Sequence, residues 1–176
     1  SQFLEPANAM ILGKEGEFEA ARASLAEFEA VMLQLGFRGL LFQIPMIGAR
    51  VAAEAGEHEK AAMLLEQALV EIDGSFIAGQ MYDAAVPTYL GYLASEQVAA
   101  GQLESAALTL ERGLALDPTS PELWLARGRL HKSRGEMAEA RAALERVLDT
   151  WSGADPELSG YQLVQSLLQE TDQPGP

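Results

Sequence analysis

The chain has 176 residues, of which 48% are apolar and 22% charged, a balance that fits a folded chain and excludes wholesale disorder. It contains no cysteine, which excludes disulfides, thiolate metal sites and cysteine nucleophiles. The formal net charge of −14 opposes binding to nucleic acid or to anionic membranes, because both are polyanions. No apolar run approaches the roughly 20 residues that span a bilayer, and residues 1–6 lack the basic start of a signal peptide. We therefore expect a cytoplasmic piece of a longer protein without membrane insertion.

A repeated pattern of glycine, alanine and leucine runs through the chain. Four glycines are each followed by an alanine five residues later and a leucine nine residues later: Gly16, Ala21 and Leu25; Gly56, Ala61 and Leu65; Gly101, Ala106 and Leu110; Gly135, Ala140 and Leu144. Glycine ends a helix in the left-handed conformation, and a small alanine lets two helices approach closely. The Glu or Gln after each glycine is expected in the first turn of the next helix, where the helix dipole favours negative charge. Each unit is therefore predicted to be a helix, a tight turn and a second helix.

Prolines indicate where the first helix of each unit begins. Pro6, Pro45, Pro87 and Pro121 precede the four glycines by 10 to 14 residues. Proline suits the first turn of a helix because the missing N–H has no partner there in any case. Pro45 and Pro87 also follow apolar stretches, so each either begins its helix or kinks a longer one. The pattern leaves these two alternatives open.

Unit spacing and periodicity predict the domain organisation. We expect one helical repeat domain over residues 1–170, with repeats at about 2–35, 36–75, 76–120 and 121–156. Residues 157–170 form an amphipathic segment without a partner helix in its own unit. Such a helix is needed to cover the apolar face of the last repeat. Residues 171–176 are expected to be a disordered tail.

The fourth unit carries a family resemblance in the residues Trp124, Gly128, His131, Gly135, Ala140, Leu144 and Val147. At this spacing they resemble a tetratricopeptide repeat, and the longer first two units resemble repeats of bacterial signalling proteins. The resemblance implies an all-α, right-handed α-solenoid of four antiparallel helix pairs plus a capping helix. It also implies that the first helices line a concave groove for a peptide or a partner's helix.

The repeat register predicts which residues of the first helices face that groove. The predicted partner-binding residues are Phe3, Met10, Gln43, Met46, Arg50, Thr88, Ser95, Arg129 and Lys132. The three cations among them are suited to receive a carboxylate through charge-assisted hydrogen bonds. The alternative is that they pair with neighbouring carboxylates on a solvated face.

Other residues at helical spacing are expected to fill the core. His131 stands where the repeat carries a packing aromatic side chain. The methionines with the same expected role are Met10, Met32, Met63 and Met137.

Catalytic motifs do not occur in the sequence. It contains neither a phosphate-binding Gly-x-x-x-x-Gly-Lys run nor a Gly-x-Ser-x-Gly elbow, and its two histidines belong to different repeats. We predict no catalytic residue, no cofactor and no metal. The predicted function is protein–protein interaction or scaffolding within a larger regulatory protein. Two alternatives are a repeat domain that senses a small effector and a module that self-assembles into a homo-oligomer through its first repeat.

Overall fold

The computed structural model describes residues 6–37, 41–74, 79–80, 82–151 and 159–171. Within these ranges the chain is helical and contains no strand. The helices are α1 Pro6–Lys14, α2 Phe18–Gln34, α3 Gln43–Glu54, α4 His58–Gly74, α5 Val86–Ala99, α6 Leu103–Leu116, α7 Pro121–Ser133, α8 Met137–Thr150 and α9 Ser159–Thr171. A 3-10 helix, Asp83–Ala85, precedes α5. The predicted all-α helical-repeat fold is confirmed, and among the described helices none is both long and apolar enough to cross a membrane.

Left-handed glycines end the first helix of each pair, as predicted. The four glycines of the repeat have φ between +74° and +81°. In the turn between α7 and α8, the N–H of Gly135 donates to the carbonyl of Lys132 at 3.0 Å, and the N–H of Glu136 donates to that of His131 at 2.9 Å. These two bonds form a Schellman motif, which satisfies carbonyls at the end of α7.

The residue after each glycine lies outside the second helix, which corrects the prediction that it occupies the first turn. Glu136 is the N-cap of α8, and its side chain makes no capping hydrogen bond. Its carbonyl instead accepts the N–H of Ala140 at 2.9 Å. The Schellman turn occupies the three residues Arg134, Gly135 and Glu136 after α7, so α8 begins only at Met137. The acidic residue that meets the helix dipole is therefore Glu139.

All four prolines lie in the first turn of a helix. Pro6 and Pro121 are the first residues of α1 and α7, Pro87 is the second residue of α5, and Pro45 is the third residue of α3. For Pro45 this position favours a helix start. Pro87 directly follows the 3-10 helix Asp83–Ala85, so for it both alternatives stay open. Ser120 occupies the N-cap position before Pro121, and its side chain makes no capping hydrogen bond to the backbone.

The chain consists of two compact units, Ser1–Val86 and Pro87–Pro176. The single repeat domain predicted over residues 1–170 depends on how these units join and stays a prediction. In the first unit, α1 packs against α2 and α3, and α3 packs against α4. Its core contains Ala9, Ala21, Leu25 and Val51.

The second unit ends in α9, which packs against α8. Val164 of α9 is fully buried with Leu144 and Val147 of α8. Burial of an aliphatic side chain of this size contributes about 1.5–3 kcal/mol. Helix α9 begins two residues after the predicted start of the capping segment, and residues 172–176 of the predicted tail lie outside the described residues.

None of the four methionines predicted to fill the core is fully buried. Met10 and Met32 are half-buried, whereas Met63 is 57% exposed and Met137 is 37% exposed, so for Met63 and Met137 the prediction is wrong. Helical spacing alone does not reveal which side of a helix packs. Around Met63, the buried side of α4 is formed by Ala61, Ala62 and Leu65.

Candidate functional site

Helices α5 and α7, the first helices of the third and fourth predicted repeats, pack closely against each other in the second unit. A Cβ atom placed on Gly91 of α5 would lie 2.7 Å from the Cβ and 2.8 Å from the carbonyl carbon of Glu122 on α7. We define the α5/α7 surface as Thr88, Ser95 and Glu96 of α5 with Arg129 and Lys132 of α7.

Arg129 is a half-buried cation on this surface. Its guanidinium makes no hydrogen bond and no ion pair with any residue in the described part of the chain. Burial lowers the pKa of Arg129 from its ordinary value, and the negative charge of Glu96 on α5 acts in the opposite direction. Arginine stays protonated under such shifts. The surface therefore presents a partly desolvated positive charge whose hydrogen-bond donors are unused within those residues.

Lys132 is already paired. Its Nζ donates to Oε2 of Glu170 on α9, and the two side chains are 32% and 46% exposed. Lys132 therefore follows the alternative given in the sequence analysis, in which a groove cation pairs with a neighbouring carboxylate of the chain itself.

The remaining predicted residues of α5 differ in exposure. Ser95 is only 9% exposed, which leaves little of its side chain for a partner to contact. Thr88 is half-buried near the start of the helix. The buried neighbour Gln97 accepts a hydrogen bond at Oε1 from Oγ1 of Thr109 at 2.8 Å, which links α5 to α6.

The predicted residues of the first unit lie on α1 and α3. Met10, Gln43 and Met46 are half-buried and Arg50 is exposed, whereas Phe3 lies outside the described residues. The side-chain amide of Gln43 donates to the hydroxyl of Tyr82 at 3.4 Å.

Three residues that the register did not identify shape these surfaces. The negative charge of Glu96 raises the pKa of Arg129 against the effect of burial, and the carboxylate of Glu170 pairs with Lys132. The hydroxyl of Tyr82 accepts a hydrogen bond from the side-chain amide of Gln43. None stands at one of the groove positions of the repeat pattern. From the sequence, the only signal for the two glutamates was the general expectation that cations on a helix surface pair with neighbouring carboxylates. That expectation does not identify which carboxylates they are.

Two other cations, one on α7 and one on α8, lie over the ring of Trp124. The guanidinium carbons of Arg127 and Arg146 lie 5.1 and 4.3 Å from the ring centroid of Trp124, within the range of cation–π interactions. The indole N–H donates to the carbonyl of Pro118 at 2.8 Å. Trp124 is thus engaged in packing, as expected of a structural residue.

Comparison with known families identifies the segment that contains Arg129 and Lys132, the two cations of this surface. Residues 97–153, from the end of α5 to just beyond α8, match the family model described as tetratricopeptide repeat. This segment is a tetratricopeptide repeat region. The resemblance seen in the sequence is thereby confirmed, and tetratricopeptide repeats point to a protein–protein interaction module of a generally non-catalytic family. A search of curated proteins gives no match to the chain.

Proposed function

We propose that the chain is a non-catalytic protein-binding module of a larger regulatory protein. The α5/α7 surface binds an acidic peptide or an acidic helix of a partner. The observation that carries this proposal is Arg129, a half-buried cation of a tetratricopeptide repeat whose guanidinium is not hydrogen-bonded to the described residues.

The chemistry of guanidinium supports a carboxylate as the group recognised. Its planar donors match the two oxygens of a carboxylate and bind them in parallel. Because burial has already removed part of the water around Arg129, a ligand that binds there has less water left to displace. The neighbouring charge of Glu96 opposes an acidic ligand, so contacts beyond the carboxylate must contribute to affinity.

The first unit offers contacts of a different kind. Met10 and Met46 are half-buried on helices that pack together, and thioether side chains adapt to varied apolar partners. With the exposed Arg50 they form a second proposed contact surface. This surface serves a partner that carries apolar as well as acidic residues.

Affinity capture from cells tests this function, with the wild type, Arg129→Gln and Arg112→Gln as baits. Arg112 is an exposed residue of α6, so its substitution changes the net charge equally but lies off the α5/α7 surface. A protein retained by the wild type and Arg112→Gln but lost by Arg129→Gln supports the proposal. If all three baits retain the same proteins, the α5/α7 surface is not the binding site.

A further inference from the structure

Arg129 and Lys132 stand three residues apart on α7 and therefore share one face of the helix. At this spacing their Cβ atoms are about 5–6 Å apart, a separation that suits two carboxylates on one ligand. Only Arg129 is available for such a ligand, because Lys132 is bound to Glu170. The two cations of the surface thus differ in their availability to a ligand carboxylate.

Glu170 is held in place by the packing of its helix. Val164, on the same helix α9, is fully buried against Leu144 and Val147 of α8. The Glu170 carboxylate is therefore attached to a docked element close to Lys132. A group held in this way has a high effective concentration, which a free ligand has to exceed in order to replace it.

From this arrangement we propose that Glu170 is a specificity-determining residue of the α5/α7 surface. By occupying Lys132, it leaves Arg129 as the position for a ligand carboxylate, so that the surface recognises one carboxylate and gains little from a second. This inference rests on the proposed function, in which Arg129 binds a carboxylate. Its basis is the ion pair between α7 and α9 combined with Arg129, whose guanidinium has no hydrogen bond or ion pair with the residues that the structure describes.

The exposure of the ion pair sets the size of the expected effect. The side chains of Lys132 and Glu170 are 32% and 46% exposed, so water and salt weaken their attraction. A second ligand carboxylate would exchange one partly exposed ion pair for another, with little net gain. Removal of the Glu170 charge should strengthen the binding of a two-carboxylate ligand by about threefold, the scale of a surface ion pair.

Two small carboxylates serve as probes in nuclear magnetic resonance titrations of the full chain at low salt. Butyrate carries one carboxylate and glutarate carries two, and the Arg129 Nε–H resonance, assigned by its loss in Arg129→Gln, reports binding. The variants are Glu170→Gln and, as the matched control, Glu139→Gln, which removes one charge from an exposed position of α8. In the wild type we expect the two probes to bind with affinities within about twofold of each other, the statistical factor of a symmetric dicarboxylate.

The proposal predicts that Glu170→Gln strengthens glutarate binding about threefold while changing butyrate binding much less. The double variant Lys132→Gln/Glu170→Gln should lose that gain, which shows that it arises at Lys132. Equal gains for both probes, or the same gain in Glu139→Gln, would reveal a general charge effect and overturn the proposal. Failure of either probe to shift the Arg129 resonance would overturn this inference, which needs a carboxylate at Arg129, whereas the proposed function is tested separately by the affinity capture with Arg129→Gln.

Discussion

Gly91 of α5 lies so close to Glu122 of α7 that no Cβ atom fits between them. The Cβ of an alanine at this position would meet the Glu122 Cβ at 2.7 Å and its carbonyl carbon at 2.8 Å. Because part of the obstruction is backbone, a change of rotamer cannot relieve it. This glycine therefore sets the spacing of the two helices that carry Arg129, Lys132 and Glu96.

Substitution of Gly91 by alanine should destabilise the second unit by about 1–3 kcal/mol, the usual cost of forcing extra volume into a packed contact. Gly48→Ala is the control, because its nearest neighbour is the Leu64 Cδ1 atom at 3.4 Å, an ordinary contact. Alanine in place of that helical glycine should stabilise by about 0.5–1 kcal/mol. Urea unfolding followed by circular dichroism measures both changes, and similar effects of the two substitutions would contradict the account.

Gly135 has a φ of +77°, a conformation that costs residues with a Cβ atom about 1–2 kcal/mol. Gly135→Ala should therefore destabilise the α7–α8 pair by about 1 kcal/mol. Gly135→Asn should cost less, because asparagine tolerates the left-handed conformation better. Tryptophan fluorescence reports unfolding of this unit selectively, since Trp124 and Trp151 both belong to it. If alanine were as well tolerated as asparagine, the turn would not depend on left-handed backbone.

The hydrogen bond from Thr109 to buried Gln97 should make a measurable contribution to the packing of α5 on α6. Thr109→Val removes the hydroxyl that donates to Gln97 Oε1 at 2.8 Å and should cost about 0.5–1.5 kcal/mol, the net contribution of a typical hydrogen bond. Thr109→Ser keeps the hydroxyl and should cost less. Thermal unfolding curves of the two variants measure these losses of stability. Equal losses for Thr109→Val and Thr109→Ser would refute the prediction.

Asp117, between α6 and α7, should stabilise the fold in a pH-dependent manner. Hydrogen bonds from the hydroxyl and the N–H of Thr119, at 2.6 and 2.8 Å, lower the pKa of Asp117 below its ordinary value of 3.8. A folded-state pKa below the unfolded one gives stability that is present above pH 3.8 and is lost as the pH falls through the folded-state pKa.

Thr119→Val removes the hydroxyl and should move the pKa of Asp117 upward toward 3.8, whereas Thr119→Ser should preserve the depression. The carbon-13 shift of the Asp117 carboxyl group, followed during acid titration, measures both values. An unchanged pKa in Thr119→Val would show that the hydroxyl is not the main cause.

Local features of the sequence were sufficient to predict most of the fold. A glycine that ends one helix and an alanine five residues later define each turn through short-range geometry, and Ala21 and Ala140 are indeed fully buried. The side of a helix that packs depends on distant neighbours, which explains why the core assignment failed for Met63. The pairing of Lys132 with Glu170 lay beyond prediction for a similar reason, because 38 residues separate them and α9 stands outside the repeat register.

The central claim is that Arg129 binds a carboxylate of a protein partner. The most direct test is the affinity of a captured partner for the wild type, Arg129→Gln and Arg112→Gln, measured by isothermal titration calorimetry. Loss of a charge-assisted hydrogen bond should weaken binding about 10- to 100-fold for Arg129→Gln, and Arg112→Gln should change it less than about twofold. Equal affinities of all three proteins would contradict the account.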